Sequence, residues 1–235
     1  MTTVPAAQQR GAFSNNRLLQ GLLGWYVLLW MALAISPVDR RDWALENILA
    51  LLLVGTLVAT YRIFPFSDLS YVLITLFLTL HAVGAHYTYA EVPFGFGMKS
   101  LFDLERNHFD RIAHFAFGSL LAYPIRELLV RKAHIRGYWT YTVPVVALLA
   151  LSGFFEIAES WVAQIVSPEL GDAYLGTQGD IWDAQKDMTA ALSGAIICMA
   201  LTAVWSARRH APDAAGEGRP QKIVPPSRRV CSRSP

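Results

Sequence analysis

Six apolar runs separated by polar turns set the pattern of the chain. A bilayer core about 30 Å thick needs roughly 20 apolar residues per helix. The runs lie at 18–35, 43–60, 70–90, 108–129, 139–160 and 187–205. The first stops at Ser36-Pro37-Val38-Asp39-Arg40-Arg41-Asp42, a polar turn with a helix breaker. Arg62, Pro65 and Asp68 punctuate the second turn, and a loop rich in Gly and Phe follows the third run. The pattern predicts an all-α polytopic membrane protein with six transmembrane helices. The first run is long, lacks a small-residue cleavage site and passes through a charged turn into another run, so it does not read as a cleaved signal peptide. Residues 1–17 read as a cytoplasmic N-terminal segment and 18–205 as the membrane domain. Residues 206–235 are Arg-, Pro- and Gly-rich and read as a disordered basic tail.

Positive charge orients the helices. With the N-terminus, second and fourth loops and tail on one side, that side holds fourteen of the twenty Lys and Arg; the other holds five, and Arg111 lies within a run. Both termini are therefore expected on the cytoplasmic side.

Composition narrows the classes. The chain is 54% hydrophobic and 16% charged, against about 25% charged in soluble domains. A net charge of +2, with no nucleic-acid motif, excludes a nucleic-acid binder. Two cysteines, Cys198 and Cys231, exclude a disulfide framework and a thiolate zinc site.

The ionisable residues inside the runs gather toward one end. A charge at a helix centre costs about 2.5–3.5 kcal/mol on the insertion scale, so such residues need a reason. His81 and His86 lie near the outer end of the third run. His108, Asp110, Arg111 and His114 open the fourth, Glu156 and Glu159 lie toward the end of the fifth, and Asp180, Asp183 and Asp187 lead into the sixth. Asp110 and His114 are spaced i,i+4, and Arg111 and His114 i,i+3, so they share a helix stripe. Glu156 with Glu159, and Asp183 with Asp187, repel each other unless a cation, a proton or a basic side chain sits between them. His81 and His86 are five apart, so both cannot face one centre without a bend, and one is expected to be structural or at the interface. Asn107 or Asp103 is the candidate cap for the fourth helix.

Bland readings compete for single residues. Asp110 with Arg111 reads equally as a buried ion pair. Asp180 and Asp183 read as members of a solvated loop. Tyr87, Tyr89, Trp161 and Trp182 read as interfacial aromatics. Arg131, Lys132 and Arg136 read as topology determinants. Gly118 on the fourth run and Ala190, Ala191, Gly194 and Ala195 on the sixth point to close helix contacts.

Three blocks together resemble a known family: Asn107-His108-Phe109-Asp110-Arg111-Ile112-Ala113-His114-Phe115, Gly153-Phe154-Phe155-Glu156-Ile157-Ala158-Glu159, and Gly176 through Met188 with Asp180, Asp183 and Asp187. They resemble the YjdF-type inner-membrane proteins, a bacterial family of unknown function, over residues 18–205. More distantly the order resembles VanZ-like proteins. Asp110, Arg111, His114, Glu156 and Asp183 match that pattern, but Glu159 and Asp187 stand where it carries amides. That resemblance implies action at the outer membrane face and, for some members, glycopeptide resistance. It implies no mechanism here, because the two extra acids make the site more anionic.

Spacing excludes several chemistries. The chain lacks the two Glu-x-x-His motifs of a di-iron site, having one at Glu105 and His108, and has no His-Glu-x-x-His helix, Gly-x-Ser-x-Gly elbow or phosphate-binding loop. Three readings stay open. In the first, a metal-dependent, membrane-embedded hydrolase acts on a lipid or lipid-linked substrate. Glu156, Glu159, Asp183 and Asp187 hold a divalent cation, His108 or His114 is the base, and Asp110 orients an imidazole. His81, His86 and Asp180 complete the polar site. In the second, a non-catalytic protein binds lipid head groups or antibiotics through Arg111, with Phe94-Gly95-Phe96-Gly97 on the membrane surface. In the third, the acids couple protons or cations to transport.

Overall fold

A computed structural model describes residues 13–210. A 3-10 turn, Phe13–Asn15, precedes eight helices: α1 (Arg17–Leu33), α2 (Arg40–Thr60), α3 (Asp68–His86), α4 (Pro93–Phe102), α5 (Phe109–Lys132), α6 (Trp139–Ile165), α7 (Pro168–Leu175) and α8 (Asp183–His210). No strand occurs among the described residues. The fold is all-α, as the hydrophobic pattern requires. Most of the expected N-terminal segment and tail lies outside the described residues. The tail's first residues, to His210, continue α8.

Four helices, α2, α3, α6 and α8, are long and apolar enough to cross a membrane. The other two expected spans depart for different reasons. Helix α1 has 17 residues, about 25 Å of helix. Helix α5 has 24, but it carries Asp110, Arg111, Arg126, Glu127, Arg131 and Lys132. It carries more charged side chains than any other long helix and is also a central one.

Two helices occupy stretches expected to be loop. Helix α4 begins with Pro93 in its first turn and ends at Asp103 in the left-handed region, φ 52°. Its Phe94, Phe96, Leu101 and Phe102 are exposed. Helix α7 is capped at its start: the Ser167 side chain accepts from Leu170 N, Pro168 follows, and Gly176 closes it at φ 59°. Ser, Pro and Gly at those places are ordinary start and stop signals.

The core lies where α3, α5, α6 and α8 meet, around Leu78, Ala122, Leu148 and Ala195. Small residues let α5 and α8 approach closely. A Cβ on Gly118 would run into the Ala191 carbonyl, and one on Gly194 into the Phe115 carbonyl. Helix α1 packs on α3, and α2 on α3 and α7. The starts of α2, α5 and α8 and the ends of α3 and α6 therefore share one end of the bundle.

Candidate functional site

At that end the chain is first sewn together by amides. Asn107 is fully buried. Its Nδ2 donates to the carbonyls of Ala90 (2.8 Å) and Val92 (3.0 Å), and its Oδ1 accepts from Phe109 N (3.0 Å). Gln178 closes a reciprocal pair with the Asn107 backbone, at 3.1 and 3.0 Å. Neither candidate is the cap residue of α5, which is His108 and makes no side-chain cap bond, but Asn107 satisfies the first amide of that helix, whereas Asp103 ends α4. Gly95 leaves room for the Asn107 side chain; a Cβ there would overlap it.

The next layer is a compensated ionic rim. Arg106 Nη1 donates to Asp183 Oδ1 (2.5 Å) and to the Thr177 carbonyl (2.7 Å). Arg111 Nη2 donates to Asp180 Oδ2 (2.8 Å) and Asp183 Oδ1 (2.6 Å). Lys186 Nζ reaches Asp180 Oδ2 at 2.7 Å. The bonds from Lys186 and Arg111 hold the Asp180 carboxyl well below the usual carboxylate range. Arg111 Nη1 lies 3.1 Å from His108 Nδ1. A guanidinium can only donate, so that imidazole nitrogen accepts and His108 is neutral in this arrangement. Arg111 thus pairs across to the chain entering α8 rather than with Asp110 beside it.

Beneath the rim the charges no longer balance. His114 Nε2 lies 3.6 Å from Asp110 Oδ1 and 3.5 Å from Glu156 Oε1. Both acids face the same nitrogen, so Asp110 does not orient the ring from its far side. Asp110, His114 and Asp187 each offer a ligand atom, and the three atoms lie within 4.8 Å of one another. Among the described residues Glu156 Oε1 and Asp187 Oδ1 have no hydrogen-bond partner; Arg111 Nε lies 3.7 Å from the latter.

Further acids line the pocket from α2 and α6. Asp42, Glu46 and Glu159 are buried. Among the described residues, both carboxylate oxygens of Asp42 and Oε2 of Glu46 lack partners. Glu46, Asp110 and Glu159 are close enough to repel one another. Burial raises the Tyr174 phenol above its ordinary range, and Glu46, Glu159 and Asp42 add to that. Six carboxyl groups, Asp42, Glu46, Asp110, Glu156, Glu159 and Asp187, thus converge with His114 and one edge of Arg111. Buried carboxylates at such density cannot all be ionised without added cations or protons.

The two histidines of α3 separate. His81 Nε2 donates to the Glu46 carbonyl (3.2 Å), and its Nδ1 accepts from the Tyr89 hydroxyl (2.5 Å). It braces the pocket wall. His86 Nδ1 donates to the Leu33 carbonyl (2.7 Å), tying α3 to the end of α1, away from the acids. Of the four acids expected to hold a cation, Glu156, Glu159 and Asp187 face the pocket. Asp183 faces the rim and is occupied by two arginines.

Asp42, Arg106, Tyr89 and Tyr174 carry more of the site than the pattern suggests, whereas Glu46, at the outer end of the second run, joins the acids as its position allows. Asp42 and Glu46 are i,i+4 at the start of α2, the same spacing as Asp183 and Asp187. That repeat was the available signal. Tyr89 is bonded to His81 in the interior rather than set at an interface.

The family model described as "Predicted membrane protein (DUF2238)" matches residues 18–208. The chain is 39% identical over 185 residues to the protein described as "Inner membrane protein YjdF" of Escherichia coli (strain K12), covering 78% of this chain and 86% of that relative. No solved structure matches.

Proposed function

Because the chain belongs to the DUF2238 family and is a multi-pass inner-membrane protein, we propose that its acid pocket holds a divalent cation and hydrolyses a lipid or lipid-linked substrate. The observation that carries this reading is the convergence of Asp110, His114 and Asp187 within 4.8 Å, beside carboxylate oxygens of Glu156 and Asp187 that nothing else satisfies. Two carboxylates and an imidazole suit Mn²⁺, Mg²⁺ or Zn²⁺. Such a cation would polarise a phosphoryl or acyl oxygen and acidify a bound water. Asp110, His114 and Asp187 are the proposed ligands, and Glu156 is the group placed to take a proton. Arg106, Arg111, His108, Asp180 and Asp183 hold the mouth in shape.

The proposed topology has six spans with both termini in the cytoplasm. Helix α1 would be a short first span, and α5 a span whose polar residues are sheltered by α3, α6 and α8. The pocket then lies at the periplasmic face. A distant VanZ-like relation fits that placement. Binding of head groups through Arg111 is the weaker reading, since Asp180 and Asp183 already occupy that guanidinium. Ion transport is weaker too, because the apolar core around Leu78, Ala122 and Leu148 lies beneath the pocket.

The test is metal analysis of protein purified from native membranes, followed by incubation with inner-membrane lipid extract and mass spectrometry of the products. The native protein is expected to carry a stoichiometric cation and release head groups. Glu156→Gln should keep the cation and lose turnover. A native protein with no bound divalent metal removes the proposal.

A further inference from the structure

A second cavity lies at the opposite end of the bundle. It has a volume of about 460 Å³ and sits in the wedge between α1 and α2, floored by α3. The wedge follows from how those helices are held. Trp30 Nε1 on α1 donates to Asn47 Oδ1 on α2 at 2.5 Å, and the Trp30 and Trp43 rings lie 5.3 Å apart. Both helices pack on α3, but they diverge below that pin. Leu22 and Tyr26 line one wall, Val54 and Leu57 the other, and Ile74 and Leu78 the floor.

The lining is apolar except at particular places. Tyr26 is only 6% exposed, and among the described residues its hydroxyl has no partner, nor has that of Tyr61. Arg62 stands at the end of α2 at the cavity's outer margin. An apolar cavity of this kind does not hold ordered water. In a bilayer the matter that reaches it is hydrocarbon. An occupant must therefore have an apolar chain, oxygen atoms for the tyrosine hydroxyls, and negative charge for Arg62.

We propose that the α1–α2 wedge binds an anionic phospholipid, with an acyl chain between Leu22 and Leu57, its ester oxygens toward Tyr26 and Tyr61, and its phosphate on Arg62. This site is separate from the acid pocket and stands whether or not that pocket binds metal. Helices α1 and α2 are then spaced by a bound lipid rather than by side chains alone.

The test is native mass spectrometry of full-length protein in mild detergent, after exchange with phosphatidylglycerol or phosphatidylethanolamine. The native protein should retain phospholipid and prefer phosphatidylglycerol by about fivefold, the effect of one arginine at a membrane surface. Leu57→Trp fills the wedge and should lose most of the bound lipid. Leu201→Trp, on the exposed face of α8, should lose none. Arg62→Glu should keep a lipid and lose the preference. Equal retention by the two Trp variants overturns the proposal, as does a native protein that holds no lipid or shows no headgroup preference. If Leu57→Trp does not fold, the Arg62→Glu comparison decides the matter.

Discussion

Helix α5 carries an inward-facing carboxylate near each end, Glu127 buried and Asp110 half-buried, and the two are treated in opposite ways. Glu127 accepts from Ser67 N (2.9 Å), Ser67 Oγ (2.7 Å), Ser70 Oγ (2.5 Å) and Arg131 Nη1 (2.5 Å). Arg131 also donates to the Pro65 carbonyl. That carboxylate is a finished joint between α3 and α5. Asp110 lies about 25 Å of helix away. It faces an imidazole that Glu156 also faces, among acids whose oxygens are unpartnered. Burial alone therefore does not mark function. A buried acid met by donors fixes helices together, whereas a group of buried acids without them stores repulsion that a cation relieves.

Breaking the finished joint should give the largest effect. Glu127→Ala takes an acceptor from two serines and leaves Arg131 only the Pro65 carbonyl. Removing one partner of such a pair costs about 3–5 kcal/mol. Thermal unfolding in detergent should show this loss, with metal content per folded molecule unchanged. An equal loss of metal would mean that the two ends are not independent.

Breaking the pocket should do the reverse. His114→Ala and Asp187→Asn should weaken divalent-cation binding at least about 100-fold, the upper end of what outer-shell changes cost, as read by titration calorimetry. Neither should unfold the metal-free protein. Asp183→Asn separates rim from pocket. It should leave metal bound while loosening the contact of Arg106 and Arg111 with the start of α8.

A smaller effect has the opposite sign. Asp42 has both oxygens unpartnered while 1% exposed. Asp42→Asn removes a charge that nothing compensates and should stabilise the metal-free protein by about 1 kcal/mol or more. Destabilisation would show that the carboxylate has a partner role after all.

The smallest effect concerns acid. Asp180 is held below the usual carboxylate range by Lys186 and Arg111. A depressed folded value adds stability above the unfolded value, and that stability fades as pH falls from the usual range toward the lower folded one. The rim contribution should therefore persist at pH 6 and weaken only in stronger acid. Asp180→Asn should flatten the stability profile there. Metal affinity should fall earlier on acidification, since protons compete for His114 and the carboxylates.

Much of this was legible in the residues. The hydrophobic runs placed six helices because lipid and core ask for the same apolar stretch. The i,i+4 pairing of Asp110 with His114 put both on one face, and Gly118 and Gly194 marked the closest helix contact. What sequence spacing could not resolve was pairing across elements. Asp183 and Asp187 look alike along α8, but one turn of helix sends the first to two arginines and the second to the pocket. Asp42 fell in a turn because its neighbours Arg40 and Arg41 broke the apolar run, yet Asp39 starts the helix earlier, its side chain accepting from Arg41 N and Asp42 N. Helices α4 and α7 are short, and their Pro and Gly boundaries were outweighed by loop-like composition.

The most direct measurement is an anomalous difference map from crystals of the protein equilibrated with Mn²⁺. The account predicts a peak among Asp110, His114 and Asp187, at about 2.0–2.3 Å from their ligand atoms. A map with no peak there, or with its peak at Asp180 and Asp183 instead, would contradict it.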